Sequence, residues 1–435
     1  MTTPDRRRGH LLQGSVLLIA AVAINGLGGF AFWWVAAWRG DAVAVGAAQE
    51  LFAAVSVVIC LTSMGLPVAV ARYCADDSEP SAEVFRWSLV YTAITSLAGA
   101  ALLIHVAPDQ ILRPLRSLGT GGALAVVALL VAGMSFAVLV EVRLMALRRW
   151  GWVVGRVALV VGLRLPLLWW TPTDASRWLL LLVAGAPALS GLIGAVVLHR
   201  SSPSRGWWRA LPRSSPGWFR YSAVNYLGLL GSQGPMFVVP FVVAISVDSA
   251  SFAPFYVAWA ITQTAFLVPH MVGQAFLVEA VKPGADHRHQ LRIALSVALG
   301  AMLAIAVASL AVGRFVGWSL GDDYHQTAAL LPWLLAGCIP WALTSSALAR
   351  ARLRHEGFTV MCITATFFGL TVGAVALGSA SDGVAGASRG WLVGNVAAAA
   401  MAGATLLAEL RSALGTPEAV EPILVPLELE AVVGS

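Results

Sequence analysis

The chain alternates between long apolar runs and short polar breaks along most of its length. Between Glu50 and Arg72, for example, lie twenty-one residues without a charge, about the length that a helix needs to cross a bilayer. Such runs recur about twelve times, at 11–38, 43–71, 84–107, 119–142, 152–171, 178–198, 218–245, 252–280, 290–313, 326–349, 358–378 and 386–409. The pattern predicts an all-α polytopic membrane protein with about twelve transmembrane helices.

Composition supports this class. Of the 435 residues 58% are hydrophobic and 11% are charged, and the mean hydropathy is +0.79. Soluble domains carry about 25% charged residues, and no soluble core could bury this much apolar sequence. The four cysteines lie in or beside apolar runs without metal-ligand spacing, so we interpret them as packing residues rather than as a disulfide framework or a metal site.

The basic residues are distributed asymmetrically along the chain. If the N-terminus is cytoplasmic and there are twelve spans, 21 of the 28 basic residues fall at the inner side, 6 at the outer side, and Arg164 falls inside a span. An excess of Arg and Lys marks the cytoplasmic side of a membrane protein. We therefore predict a multi-pass membrane protein with both termini in the cytoplasm. The 27 arginines against a single lysine, with many Ala and Gly residues, are typical of a bacterial genome of high G+C content, so we expect the bacterial cytoplasmic membrane.

One long polar break divides the chain into two halves. Residues 199–220 are rich in arginine, proline and tryptophan and contain no acid. A faint repeat at an offset of about 206 to 207 residues relates the two sides. We predict an N-terminal six-helix lobe at 1–198, a basic cytoplasmic inter-lobe loop at 199–217, a C-terminal six-helix lobe at 218–410, and a disordered cytoplasmic tail at 411–435.

The sequence lacks the motifs of enzymes. It has no HExxH, no GxSxG, no glycine-rich phosphate loop and no useful pair of carboxylates. Its polar loops are too short for a soluble catalytic domain. We expect no catalytic residue, no metal site and no cofactor.

Polar side chains inside predicted spans are the candidates for function, because they are costly in a bilayer. They are Asn25, Gln49, Glu50, Arg164, Asn225, Gln233, Gln263, His270, Gln274 and Asn395, with Arg39 at the outer mouth. An isolated Asn or Gln often makes only an interhelical hydrogen bond, worth about 0.6 kcal/mol. For Gln233 and His270, which lie near Pro235 and Pro269, a cavity-lining role and a packing role both stay open.

Arg164 is the most demanding of these residues. Its guanidinium stays charged, and placing it at a helix centre costs about 2.5–3.5 kcal/mol. Two hypotheses account for it. Either Arg164 forms a structural ion pair with Glu50, or it forms the cationic floor of a cavity that accepts an anionic substrate.

Three segments resemble a known family. They are "GFAFWWVAAWRGDAVAVGAAQELFAAVSVVICLTSMGLPVAVARY", "NYLGLLGSQGPMFVVPFVVA" with "FAPFYVAWAITQTAFLVPHMVGQAFLVEA", and "GDDYHQTAALLPWLLAGCIPWALTSSALARARLRH". Together they look like the first two spans, spans seven and eight, and span ten of polysaccharide/oligosaccharide (Wzx-like) flippases. These flippases belong to the multidrug/oligosaccharidyl-lipid/polysaccharide (MOP) exporter superfamily, and the resemblance extends over most of residues 11–410.

The resemblance implies two six-helix lobes around a central cavity, as in MATE-like folds, and alternating access. It also implies flipping of an undecaprenyl-diphosphate-linked oligosaccharide to the outer leaflet. We expect a monomer in the bilayer, with the lipid-linked glycan as substrate and with glycan polymerase or glycosyltransferases as partners, and no nucleic acid. The choice between H⁺, Na⁺ and membrane potential as driving force stays open. The alternatives are a cation-coupled small-molecule or drug antiporter of the same superfamily, a membrane scaffold and a membrane enzyme.

Overall fold

The computed structural model describes residues 4–74, 78–172, 176–200, 217–280 and 286–412. Most of the predicted inter-lobe loop, and the tail from residue 413 onward, lie outside these ranges. Helices and turns make up the described residues, and no strand occurs among them. We call the two ends of the helices inner and outer, after the orientation predicted from the basic residues.

The first half of the chain forms eight helices up to residue 200. They are α1 (Pro4–Arg39), α2 (Ala42–Thr62), α3 (Leu66–Tyr73), α4 (Glu79–Val106), α5 (Asp109–Leu112), α6 (Gly119–Ala146), α7 (Trp150–Trp170) and α8 (Ser176–Arg200), with a 3₁₀ turn at Arg113–Leu118. The second half forms α9 (Gly217–Ala244), α10 (Ser249–Ala280), α11 (His287–Leu320), α12 (His325–Leu353) and α13 (Gly357–Ser412), with a 3₁₀ turn at Asp322–Tyr324.

The twelve predicted runs all lie on these helices. Ten of the described helical segments are long and apolar enough to cross a membrane. The last of them, within α13, contains two predicted spans, because Asp382 and Gly383 have non-helical backbone angles and fold the helix back on itself. With α1, which holds the first predicted run, the twelve spans are accounted for.

The run 43–71 predicted one continuous second span, and this prediction is wrong. The span breaks between Thr62 and Leu66. Gly65 has φ +70°, a conformation that favours glycine, and Pro67 supplies no amide hydrogen at the start of α3. Hydropathy cannot reveal such a break because the residues around it are as apolar as the helices.

Close backbone contacts hold each half together. In the first half, a Cβ on Gly191 of α8 would lie 2.1 Å from the Gly133 carbonyl oxygen of α6, so only glycine permits this approach. In the second half α12 packs against α10, α11 and α13. The rings of Phe266 and Trp341 stack there with centroids 4.2 Å apart, and those of Trp259 and Trp391 meet edge to face at 4.9 Å.

Tryptophans at the outer helix ends mark the membrane surface. Several are exposed there although they are large and apolar, namely Trp38, Trp169, Trp170, Trp178, Trp318 and Trp333. Amphipathic rings of this kind concentrate at the level of the lipid headgroups. Leucines and valines exposed along the middle of α4, α8 and α11 face the same surroundings, as expected of a surface covered by lipid.

Candidate functional site

The side chain of Gln110 bridges the two halves at the outer end. The Nε2 atom of Gln110, on α5, donates to the Val247 carbonyl at 2.7 Å and lies 3.4 Å from the Ala244 carbonyl. The same atom lies 3.2 Å from Oε1 of Glu50. Gln110 therefore joins the carboxylate of α2 to the end of α9. We call Glu50, Gln110 and the Ala244 and Val247 carbonyls the outer contact.

Glu50 and Gln49 are fully buried beside this contact, each 0% exposed. Oε2 of Glu50 and both side-chain polar atoms of Gln49 have no hydrogen-bond partner among the described residues. Ser249 lies close to the Glu50 carboxylate, and the charges of Asp248 and Arg113 act on it. Buried polar atoms without hydrogen-bond partners lower the stability of a protein. The polar atoms of Gln49 and Glu50 at this junction can therefore still bind a ligand or water.

Two open depressions flank the outer contact. One, of about 1130 Å³ with its open mouth, reaches from Gln110 to Gln326 and Asp382. The other, of about 840 Å³ with its open mouth, lies between Asp109, Arg113 and Ser249. Asp248 borders both. Hydrogen bonds from the backbone amide and hydroxyl of Ser251 hold the pKa of Asp248 below its usual value, so this carboxylate stays ionised at neutral pH.

A second contact joins the halves at the inner end, where α2 breaks. The Ser222 hydroxyl donates to the Met64 carbonyl at 2.7 Å, and the Tyr226 hydroxyl lies 3.0 Å from the Leu61 carbonyl. The last carbonyls of a helix lack amide partners within that helix. Because α2 ends at this break, the carbonyls of Leu61 and Met64 are free to accept hydrogen bonds from the second half. Arg72 adds a cation–π contact 4.4 Å from the Tyr221 ring centroid. We call these pairs the inner contact.

Close approach between the halves accompanies both contacts. At the outer end a Cβ on Gly46 of α2 would lie 1.8 Å from the Ser249 carbonyl oxygen of α10. At the inner end a Cβ on Gly65 would lie 2.4 Å from the Ser222 carbonyl oxygen of α9. Side chains larger than hydrogen would separate the halves at either position.

Arg164 is buried within the first half, at 7% exposure. It shares the buried face of α7 with Val157, Val160 and Leu168. Within the described part of the chain it forms no hydrogen bond and no ion pair, and its buried Nε has no partner. The structure therefore does not join Arg164 to Glu50 as an ion pair, because Glu50 is turned toward Gln110 and Ser249 instead.

Arg39 lies at the end of α1, where its side chain caps α7. Its Nη1 donates to the Leu168 carbonyl, and its guanidinium lies 4.9 Å from the centre of the Trp169 ring. The end of a helix attracts cations. Through these contacts Arg39 connects the end of α1 to the end of α7.

The remaining predicted residues are spread over several helices. Asn225 and Asn395 donate to carbonyls one turn earlier in their own helices, at 2.8 Å each. Gln263 donates to the Met236 carbonyl of α9 at 3.0 Å. Asn25 is exposed on α1, and the amide nitrogen of Gln233 is buried without a partner. The structure therefore forms no single cluster from the predicted set.

His270 and Gln274 line a separate cleft in the second half, between α9, α10 and α12. Arg352 also lines it, whereas the sequence places it only among the basic residues of the inner side. Sequence reasoning also missed Gln110, Ser222 and Tyr226. Gln110 lies in a short predicted loop, and the two hydroxyls look like ordinary residues of a helix start, so no local signal distinguished them.

Comparison with known proteins supports the fold. No protein-family model matches the chain. No curated protein matches it either. Solved structures do, among them "Outward-facing conformation of a multidrug resistance MATE family transporter of the MOP superfamily", with 17% identity, TM-score 0.56, and 93% of this chain and 96% of that chain covered. A "MATE in the bent conformation" has 18% identity, TM-score 0.55, and coverage of 95% and 98%. The chain therefore has the fold of MATE-family transporters in the MOP superfamily.

Proposed function

We propose that the protein is a membrane transporter, not an enzyme, that works by alternating access between its two halves. The observation that carries the proposal is the position of α2. At its outer end, α2 contacts the second half through Glu50, which accepts a hydrogen bond from Gln110 of α5. At the inner end, the break between α2 and α3 contacts the second half through the Met64 carbonyl, which accepts a hydrogen bond from Ser222. Rocking of the halves about the middle would break one contact while the other persists.

The substrate that we propose is an undecaprenyl-diphosphate-linked oligosaccharide, moved from the inner to the outer leaflet. The buried guanidinium of Arg164 has no carboxylate partner among the described residues, and an anionic headgroup would satisfy it. The resemblance of three segments to polysaccharide flippases supports the same class. On this proposal, the protein lies in the bacterial cytoplasmic membrane with both termini in the cytoplasm. Glycosyltransferases or a polymerase act on the same glycan.

A second candidate is a cation-coupled antiporter for small molecules. Glu50 favours it, because a fully buried carboxylate at the junction of the halves could exchange a cation as the outer contact opens. The solved structures of the same fold are also MATE transporters, one of them described as a multidrug resistance transporter. The two candidates differ in cargo and share the movement of the halves.

Paired cysteines test the movement. In a background without the four native cysteines, we expect disulfides between positions 110 and 247, or between 64 and 222, to stop transport reversibly. The matched control is Ser246 with Ser379, whose hydroxyl oxygens lie 3.2 Å apart within the second half. That disulfide should leave transport intact. Full activity with both cross-half disulfides closed would rule out alternating access.

Cargo is tested in proteoliposomes. A membrane-impermeant glycosyltransferase outside the vesicles adds labelled sugar only to headgroups in the outer leaflet. We expect the protein to increase this labelling, and Arg164→Gln to abolish the increase. Ethidium efflux driven by an ion gradient, lost in Glu50→Gln and without any flipping of the lipid-linked glycan, would establish the antiporter instead.

A further inference from the structure

The two depressions at the outer end have room for a ligand that the contacts between the halves do not use. Both are bordered by Gln110 and Asp248, and we call them together the outer groove. Water can enter about 650 Å³ of the larger depression and about 480 Å³ of the smaller one. Sites for small ligands have volumes of roughly 300–1,000 Å³, so the outer groove can admit a short chain of sugar rings.

The charges along the outer groove nearly cancel. Its lining includes three acids and two arginines, namely Asp109, Asp248, Asp382, Arg113 and Arg116. Asp109 and Arg116 form an ion pair at 3.1 Å. Asp382 forms another with Arg389, which lies outside the lining. No three His, Cys, Asp or Glu side chains of the described residues are grouped as metal ligands would be. This lining therefore favours an uncharged ligand over a metal ion or an anion.

Polar groups of the larger depression have hydrogen-bonding capacity left. The side chain of Gln326 is exposed and forms no hydrogen bond within the described residues. Asp248 accepts hydrogen bonds from the amide and the hydroxyl of Ser251, which use about two of the four lone pairs of its carboxylate. A sugar hydroxyl both donates and accepts, so an amide and a carboxylate that line one depression suit a ligand rich in hydroxyl groups.

A buried carboxylate behind Gln110 has unused capacity too. Oε1 of Glu50 lies 3.2 Å from Nε2 of Gln110, and Oε2 is buried without a partner among the described residues. A buried acceptor without a donor lowers stability until a ligand or water satisfies it. When the outer contact opens, Gln110 moves away from Glu50 and this acceptor becomes part of the groove.

We propose that the outer groove binds sugar units of a neutral oligosaccharide on the outer side of the membrane. Gln326 and Asp248 bind hydroxyl groups of the sugar rings, and Gln110 and Glu50 bind further hydroxyl groups once the outer contact has opened. The proposal deepens the proposed function and rests on it for the cargo. The groove holds the glycan after the diphosphate has reached the outer leaflet.

Equilibrium binding to the full chain in phosphatidylcholine nanodiscs tests the proposal. The probes are undecaprenyl diphosphate linked to one N-acetylglucosamine unit and the same lipid linked to a chain of five. We expect the parent protein to bind the five-sugar probe at least about threefold more tightly than the one-sugar probe. The reason is that one net hydrogen bond strengthens binding by about twofold to tenfold.

Two variants test the groove itself. Ala329→Trp keeps every polar group and fills the larger depression, so it should abolish the preference for the five-sugar probe and leave the Kd of the one-sugar probe unchanged within about twofold. The matched control is Ala380→Trp, at an exposed position near the outer end of α13's first arm and outside the lining, which should bind both probes like the parent. Gln326→Ala removes no hydrogen bond of the described residues and should weaken binding of the five-sugar probe by about twofold to tenfold.

Cysteine protection locates the bound sugars. In a background without the four native cysteines, Ala329→Cys should react with an impermeant maleimide about threefold more slowly, or slower still, when the five-sugar probe is present. The one-sugar probe should have no such effect. Ala380→Cys should react at the same rate with either probe.

The outcomes separate the groove from the cargo. Equal Kd values of the two probes in the parent protein would overturn the site in the groove and leave the proposed cargo standing. A preference for five sugars that persists in both Ala329→Trp and Gln326→Ala would have the same consequence. Failure of the parent protein to bind either lipid would overturn the proposed cargo, and the groove with it.

Discussion

At the residue scale, proline explains why one predicted glutamine is structural. Pro240 has no amide hydrogen, so the Met236 carbonyl one turn earlier lacks its helix partner. Gln263 of α10 supplies a donor at 3.0 Å, and the indole nitrogen of Trp259 lies 3.4 Å away. This glutamine satisfies a carbonyl in the bilayer interior, where water cannot do so.

We therefore expect Gln263→Leu to lower the free energy of unfolding by about 1 kcal/mol, within the range measured for hydrogen bonds between membrane helices. Reversible unfolding in sodium dodecyl sulfate measures the difference. Gln274→Leu is the matched control, since Gln274 lies on the same helix, is exposed and makes no hydrogen bond within the described residues. An equal loss in both variants would show that the Met236 carbonyl does not depend on Gln263.

At the element scale, glycine rather than hydropathy governs how the two arms of α13 pair. After the kink at Asp382 and Gly383, the arms approach through Gly378, Gly386 and Gly390. A Cβ on Gly390 would lie 2.3 Å from the Ala374 carbonyl oxygen. The spacing of small residues every four positions forms the flat face that membrane helices use for close packing.

Gly390→Leu should consequently destabilise the protein by about 3 kcal/mol or more, because the clash meets backbone that cannot move aside. Gly403→Leu, on the same helix, has nothing within 4 Å of its Cβ and should change stability by less than about 1 kcal/mol. Thermal unfolding followed by intrinsic tryptophan fluorescence measures both variants. A harmless Gly390→Leu would contradict the packing of the two arms.

At the scale of the whole molecule, the outer and inner contacts are both closed. The outer contact joins α2 to the loop after α9 through Gln110. The inner contact joins the end of α2 and the break after it to α9. Each contact consists of few hydrogen bonds. A small difference in free energy between the two ends would then decide which side opens. The narrowest approach is at Gly46, where α2 meets the backbone of α10.

Gly46→Val should shift the protein toward the state that is open at the outer end. The contact of 1.8 Å between a Cβ and the Ser249 oxygen must widen beyond 3.0 Å, and the inner contact is unaffected. Spin labels at Asp109 and Asp323, on the outer ends of the two halves, should show longer distances by double electron–electron resonance. Gly29→Val, at a position with nothing within 4 Å, is the control, and identical distributions in the two variants would contradict the expectation.

The sequence by itself determined the membrane-spanning runs and their number. Each apolar run is long enough to cross a bilayer, and in lipid the backbone must satisfy its own hydrogen bonds, so runs such as that of α6 could form nothing but helices. The resemblance of three segments also indicated the superfamily whose fold the structure has. Hydropathy missed the break at Gly65 because a turn of apolar residues has the same composition as a helix.

Only the tertiary structure decided which polar residues meet. Glu50 and Arg164 lie on different helices, and spacing along the chain carries no information on how those helices rotate. The structure turns Glu50 to Gln110 and leaves Arg164 without a partner in the described part of the chain. It likewise brings Arg352 to His270 across two helices. Which side chains meet depends on how closely the helices pack at glycines such as Gly46 and Gly390. At this packing density, small changes in fit change the distance and rotation between helices.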